Sequence, residues 1–351
     1  MGINALAQSL SDQGIRKITV IPYGFLALLP LPAVSVHIDH RQGPLSEIFE
    51  TAIAPSAHTL SIAKERSSPL EYAKQRPYIV AVGNPLPLSP GIPALPFAQA
   101  EAETSCRLAN TFGYPKVDVH CVIGEQATRT RVMELLRQSW FALLAMHAQF
   151  RPDDPRQSHL LLPYNENITL EECLNGQLDL KGLRLMILSA CETLTIDVIQ
   201  ALNEMNGIAS GFLYAGVVGI VASLWPVDDR ATYLLMTRFA NFYLDPVRKW
   251  SPAKCMSEAQ RWLREEATNS VLRGYDPAAP SSLKIDASST DVLAQSLPVP
   301  TSEQITSYRR SLRLNYERAL LRIQDEAEWS DPQALPYANP VYWAGFSLVG
   351  C

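Results

Sequence analysis

Two of the most apolar runs in the chain end in side chains that can do covalent chemistry. WFALLAMH (140–147) closes on His147, and LRLMILSAC (183–191) closes on Cys191. A thiol with an unperturbed pKa of about 8.5 is only a few per cent thiolate at neutral pH, so a nucleophilic cysteine needs a base. An imidazole supplies one in the physiological range. His147 precedes Cys191 by 44 positions (191 minus 147), close to the separation of about 50 in one His-then-Cys nucleophile signature that has Ala before the cysteine. Two readings stand on these residues alone. They are a reactive pair, or a buried structural thiol beside a strand-end histidine, since free cysteine is among the most buried residue types.

The elements that must carry this pair alternate strand and helix. Strand-like runs fall at 17–22, 77–82, 116–122, 140–147, 183–191, 217–225 and 341–350, and apolar spacing of the 3.6 type falls at 97–112, 127–138, 229–244 and 252–267. Strands apolar on both faces and separated by helices predict an α/β chain with a mostly parallel sheet covered on both sides. In such sheets functional groups collect beyond the carboxyl ends of the strands, which places His147 and Cys191 on one rim. Residues 83–96, GNPLPLSPGIPALP, read as an extended loop, 273–302 as a polar linker open to self-cleavage or docking, and 303–329 as a long helix.

Composition removes several classes. With 351 residues and 47% hydrophobic content the chain needs a packed core, and a net charge of −5 gives no general attraction to nucleic acid. Six cysteines without a C-x-x-C pair point to reduced thiols in the cytoplasm and neither to a disulfide scaffold nor to a metal site. No cofactor is implied, because the phosphate-loop, dinucleotide, G-x-S-x-G and H-E-x-x-H motifs are all missing. The uncharged stretch 206–227 is long enough to span a bilayer, but its glycines and its β-branched second half predict a short buried helix, a glycine stop at Gly216 and a buried strand. No membrane partner is expected. His37, His40, His58, His120 and His159 read as surface or structural residues.

The strings MHAQF, LMILSACET, GFLYAGVVGIVASLWPVDDRAT and NPVYWAGFSLVG, preceded by ITVIPYGFLALLPLPAV and IVAVGNPLP with AQAEAE, resemble the CHAT domain family of caspase-like cysteine peptidases. The resemblance covers roughly 15–265 and 336–351. It implies a caspase-like three-layer α/β/α sandwich in one domain over 1–351, with an N-terminal portion at 1–76, a catalytic core at 77–272, an insertion at 273–335 and a final core strand at 336–351. It also implies a peptide-bond hydrolase. His147 is then general base and acid, Cys191 the nucleophile, and the backbone N–H groups of Ala148 and Cys191 the oxyanion hole. Relatives often carry tetratricopeptide repeats and act in bacterial defence, so a gasdermin-like protein substrate and a tetratricopeptide-repeat regulatory region or partner are expected. Two positions depart from the family pattern, which has Gly where this chain has Ala148 and Leu194. A turn needing positive φ at either would disfavour a side chain, which leaves an inactive or partner-activated scaffold acting as a binding module as the alternative. An acyltransferase or amidase using the same thiolate is a third class.

Asp228 and Asp229 follow the strand ending at Trp225 and fall on the same rim. Two carboxylates there could receive a Lys or Arg side chain of a substrate. Equally, an Asp ahead of DRATYLLM is a good helix cap.

Overall fold

The computed structural model describes residues 2–23, 26–27, 29–66, 78–114, 117–149, 151, 153–190, 198–225, 227–273 and 331–351. The predicted helix at 303–329 and all but the first residue of the predicted linker at 273–302 lie outside these residues.

Eight strands build the central sheet: β1 (Lys17–Val20), β2 (Glu50–Ile53), β3 (Tyr78–Gly83), β4 (Asp118–Ile123), β5 (Ser139–Ala145), β6 (Leu185–Ser189), β7 (Gly219–Ser223) and β8 (Phe346–Gly350). Their spatial order is β1-β2-β8-β7-β6-β5-β3-β4. Strands β4, β3, β5, β6 and β7 are mutually parallel, and so are β8, β2 and β1. The single antiparallel pairing joins β7 to β8. The mostly parallel sheet read from the sequence is therefore present, in two blocks of opposite direction.

Seven helices of ten residues or more are described: α1 (Ile3–Asp12), α2 (Ala57–Arg66), α3 (Pro96–Phe112), α4 (Arg129–Gln138), α5 (Val198–Ala215), α6 (Asp229–Leu244) and α7 (Pro252–Glu265). They sandwich the sheet because each inner strand is apolar on both faces. Phe141, Leu143 and Ala145 of β5, with Leu185 and Ile187 of β6, pack against α3, α6 and α7. Ala142 and Leu144, with Met186 and Leu188, turn the other way onto α4 and the C-terminal half of α5. The alternation is the two-residue period of a strand. A smaller cluster of Ala7, Val36, Ile38, Leu45 and Phe49 secures α1 and the hairpin of Ser35–Ile38 with Arg41–Pro44.

Two glycines set the spacing of layers. Gly216 stops α5 at φ 122°, and a Cβ there would lie 2.6 Å from the Lys181 backbone nitrogen. Gly83 ends β3 where a Cβ would lie 2.7 Å from both Ala98 O and Ala102 Cβ, so its missing side chain lets α3 seat closely on the sheet. The uncharged stretch resolves into the end of α5, the Gly216 stop and β7; the stop and the strand are as expected, while the helix, at 18 residues, is longer than the short one expected because it starts before the stretch does. Among the described residues no helix is long and apolar enough to cross a membrane.

Candidate active site

The rim at the carboxyl ends of β3, β5 and β6 is built by register. The parallel ladder of β5 with β6 runs from Phe141 opposite Leu185 to Ala145 opposite Ser189, and the Met146 N–H continues it by donating to Ser189 O at 3.2 Å. His147 stands two residues beyond Ala145, and Cys191 is two residues beyond Ser189 in the sequence. Cys191 and Leu194 lie outside the described residues.

His147 is 5% exposed, and its Nε2 lies 2.8 Å from Pro93 O. A carbonyl only accepts, so Nε2 carries a hydrogen and donates it. In the neutral ring the proton-accepting nitrogen is then Nδ1. The ring is fixed by main chain alone at this atom, with no carboxylate in the role.

Pro93 is held by a short chain of bonds. The loop 84–95 is closed by Asn84, whose N–H donates to Ala145 O at 2.9 Å and whose Oδ1 accepts the Leu95 N–H at 2.8 Å. Asn84 is 6% exposed with φ 48°, a left-handed conformation that Asn tolerates better than most residues. The middle of the loop is tied to a neighbouring turn, since Tyr164 N–H donates to Pro87 O at 3.1 Å and Ser89 Oγ to Asn165 Oδ1 at 2.7 Å.

Beyond His147 the chain enters a small antiparallel sheet of Ala148–Gln149, His159–Leu161 and Asn167–Thr169. Ala148 faces Leu160, and the ladder bond here is from Leu161 N–H to His147 O at 2.9 Å. In antiparallel alternation this makes Ala148 and Leu160 a non-hydrogen-bonded pair, so the Ala148 N–H points away from that partner strand. Ala148 is extended and is not among the residues of positive φ. A Cβ in place of glycine therefore costs no backbone strain at this position.

The two candidate carboxylates separate. Asp228 is exposed and caps α6, its Oδ1 accepting the Arg230 N–H at 3.1 Å and the Ala231 N–H at 2.9 Å. The capping reading accounts for its side chain. Asp229 turns inward, and its carboxyl is pushed up from 3.8 to about 6 by burial and by the charge of Asp228, against an opposing hydrogen bond from the Phe97 backbone. The inner partner that the sequence reading missed is Glu101 of α3. It is 1% exposed, and its Oε2 accepts Ser189 Oγ–H at 3.0 Å. Burial raises the Glu101 carboxyl well above its usual range, the Ser189 hydrogen bond opposes that, and the charge of Asp229 adds to it. The negative charge of Asp229 resists ionisation of Glu101. One signal for Glu101 was readable. It falls on the apolar stripe Ala98, Ala102, Ser105, Ala109, where a carboxylate is out of place.

A three-layer α/β/α sandwich whose polar groups gather past the carboxyl ends of parallel strands is the class this architecture defines. The chain belongs to the CHAT domain family, whose model matches residues 1–351. Among solved structures it is similar to the Arg-specific cysteine proteinase gingipain R, with a TM-score of 0.39 and 12% identity over 66% of this chain and 52% of that one. It is also similar to the complex of RgpB pro- and mature domains from Porphyromonas gingivalis, with a TM-score of 0.43 and 11% identity over 74% of this chain and 64% of that one. The chain thus spans less than two thirds of the length of either. No curated protein matches it by sequence.

Proposed function

We propose that this CHAT domain is a cysteine peptidase in which His147 and Cys191 form the catalytic dyad. The observation that carries the proposal is the ladder of β5 with β6, which ends with Ala145 beside Ser189, each two residues short of a dyad position. The histidine geometry supports the same reading, since Nε2 donates to Pro93 O and leaves Nδ1 as the base. In this mechanism Nδ1 takes the Cys191 proton, and the Pro93 carbonyl steadies the imidazolium that results. The thiolate adds to the substrate carbonyl, and the N–H groups of Ala148 and Cys191 meet the oxyanion. His147 then returns its proton to the leaving amine, giving an acyl-enzyme that water hydrolyses.

The same proposal assigns the acidic side of the rim to a basic residue before the cut, with Asp229 facing it and Asp228 acting through the start of α6. A gasdermin-like pore former in a bacterial defence pathway is the substrate that the family resemblance suggests. The test is a proteome-wide cleavage comparison of the wild-type chain with Cys191→Ala and His147→Ala. Cleavage products present with the wild type and missing with both variants are expected. Identical product sets from all three would overturn the peptidase assignment.

A further inference from the structure

We propose that Glu101, with Asp229 beside it, receives the Arg or Lys side chain that immediately precedes the scissile bond. The inference rests on the peptidase reading above and names the residue that sets its substrate class.

Position comes first. Glu101 reaches across from α3 to the carboxyl end of β6, where Ser189 Oγ donates to its Oε2. Two peptide units separate Ser189 from Cys191, and two residues span at most about 7 Å. A substrate side chain leaving the bond under attack starts within reach of this carboxyl.

The second observation is an unmade bond. Glu101 Oε1 is buried and has no hydrogen-bond partner, in a side chain that is 1% exposed. Leaving a buried acceptor unsatisfied is costly, and such groups are rare enough in folded proteins to need a reason. An incoming donor is such a reason. Among the described residues no Lys or Arg forms an ion pair with Glu101 or Asp229, and Asp229 is met only by the Phe97 backbone.

Charge decides which donor. A guanidinium brings five N–H groups in a fixed fork, enough to pair Oε1 and face Asp229 together, and an ammonium brings three. A neutral apolar residue would leave Oε1 unpaired, and an acidic one would add a further negative charge beside the buried Glu101 and the half-buried Asp229. Both carboxyls already resist ionisation through burial, and a cation between them supplies the missing countercharge. A purely structural Glu101, serving only as acceptor for Ser189, would keep that role as Gln and leave substrate preference unmoved.

The experiment measures kcat/KM for wild type, Glu101→Gln and Asp229→Asn on peptides that differ only in the residue before the cut: Arg, Lys, citrulline, norleucine or Asp. Wild type is expected to favour Arg over citrulline by at least about 100-fold, since citrulline keeps the shape and loses the charge. That ratio is expected to fall at least tenfold in Glu101→Gln and by a smaller factor in Asp229→Asn. In parallel, benzamidine is titrated calorimetrically into the Cys191→Ala chain and into Cys191→Ala with Glu101→Gln, with at least tenfold weaker binding expected in the second. Equal cleavage after Arg and citrulline by wild type, an unchanged ratio in Glu101→Gln, or no benzamidine binding would overturn the assignment and leave the dyad standing. If Cys191→Ala and wild type behave alike on every peptide, the peptidase reading fails, and the benzamidine titration alone decides the role of Glu101.

Discussion

Replacing Asp229 by Asn removes a charge that the fold holds at a cost. Its pKa of about 6 against an ordinary 3.8 is a shift of about 2 units, each worth about 1.4 kcal/mol. The raised value means that the folded chain binds more protons than the unfolded chain between these two pH values. The associated stability is fully present below 3.8 and is lost as pH rises through about 6. At pH 8 the ionised carboxylate therefore costs about 3 kcal/mol, while at pH 4.5 integration of the same curve leaves a cost of about 1 kcal/mol. Position at the start of α6 favours the charge by about 0.3–1 kcal/mol, which trims the total without reversing it. Asn keeps an oxygen for the Phe97 N–H, so the substitution isolates the charge. Urea unfolding followed by circular dichroism should find Asp229→Asn more stable than wild type by about 2–3 kcal/mol at pH 8 and by about 1 kcal/mol or less at pH 4.5. An equal difference at both pH values, or a less stable variant at pH 8, would refute the electrostatic account of this side of the rim.

Asn84→Ala strips the acceptor from the buried Leu95 N–H and should lower stability by about 1–3 kcal/mol. It should also lower kcat and displace the pH–rate profile, because Pro93 O loses its hold on His147, and Asn84→Asp, which keeps the acceptor, should restore most of both. A stable Asn84→Ala with wild-type pH dependence would show that the loop positions nothing. Gly83→Ala places a Cβ against Ala98 O and Ala102 Cβ at 2.7 Å. Overpacking of this kind costs about 1–3 kcal/mol, so chemical denaturation should show a loss in that range. No loss would mean that α3 yields freely at its N-terminal end.

The inner strands were legible because β3, β5 and β6 are apolar on both faces, and β-branched and aliphatic runs of five to seven residues have few other uses. Their register was not legible, since a ladder is fixed by pairing between segments far apart in the chain. Strand β2, Glu-Thr-Ala-Ile, escaped because four residues with a charge at one end carry almost no period, and its place beside β8 depends on residues nearly three hundred positions away. The small sheet after His147 escaped for the same reason, being made of two- and three-residue strands. His147 was readable as a strand-end imidazole, yet its acceptor Pro93 was not, because any loop residue carries a carbonyl. Asp228 was readable as a cap from its place before a helix. Glu101 was legible only as a carboxylate at a helical spacing shared with Ala98 and Ala102, while its partner Ser189 was not, because that bond joins segments 88 positions apart.

The central claim is a thiol activated by His147, and the rate of alkylation at Cys191 tests it most directly. The other cysteines give a built-in control. Burial pushes Cys173 and Cys255 up to about 12, the hydrogen bond with Cys121 together with burial pushes Cys106 well above its usual range, and burial raises Cys351. With iodoacetamide at neutral pH and site-resolved mass spectrometry, Cys191 is expected to react at least tenfold faster than any of the other five, and His147→Ala is expected to abolish the difference. Labelling of Cys191 no faster than that of the other five cysteines, or unaffected by loss of His147, would contradict the account.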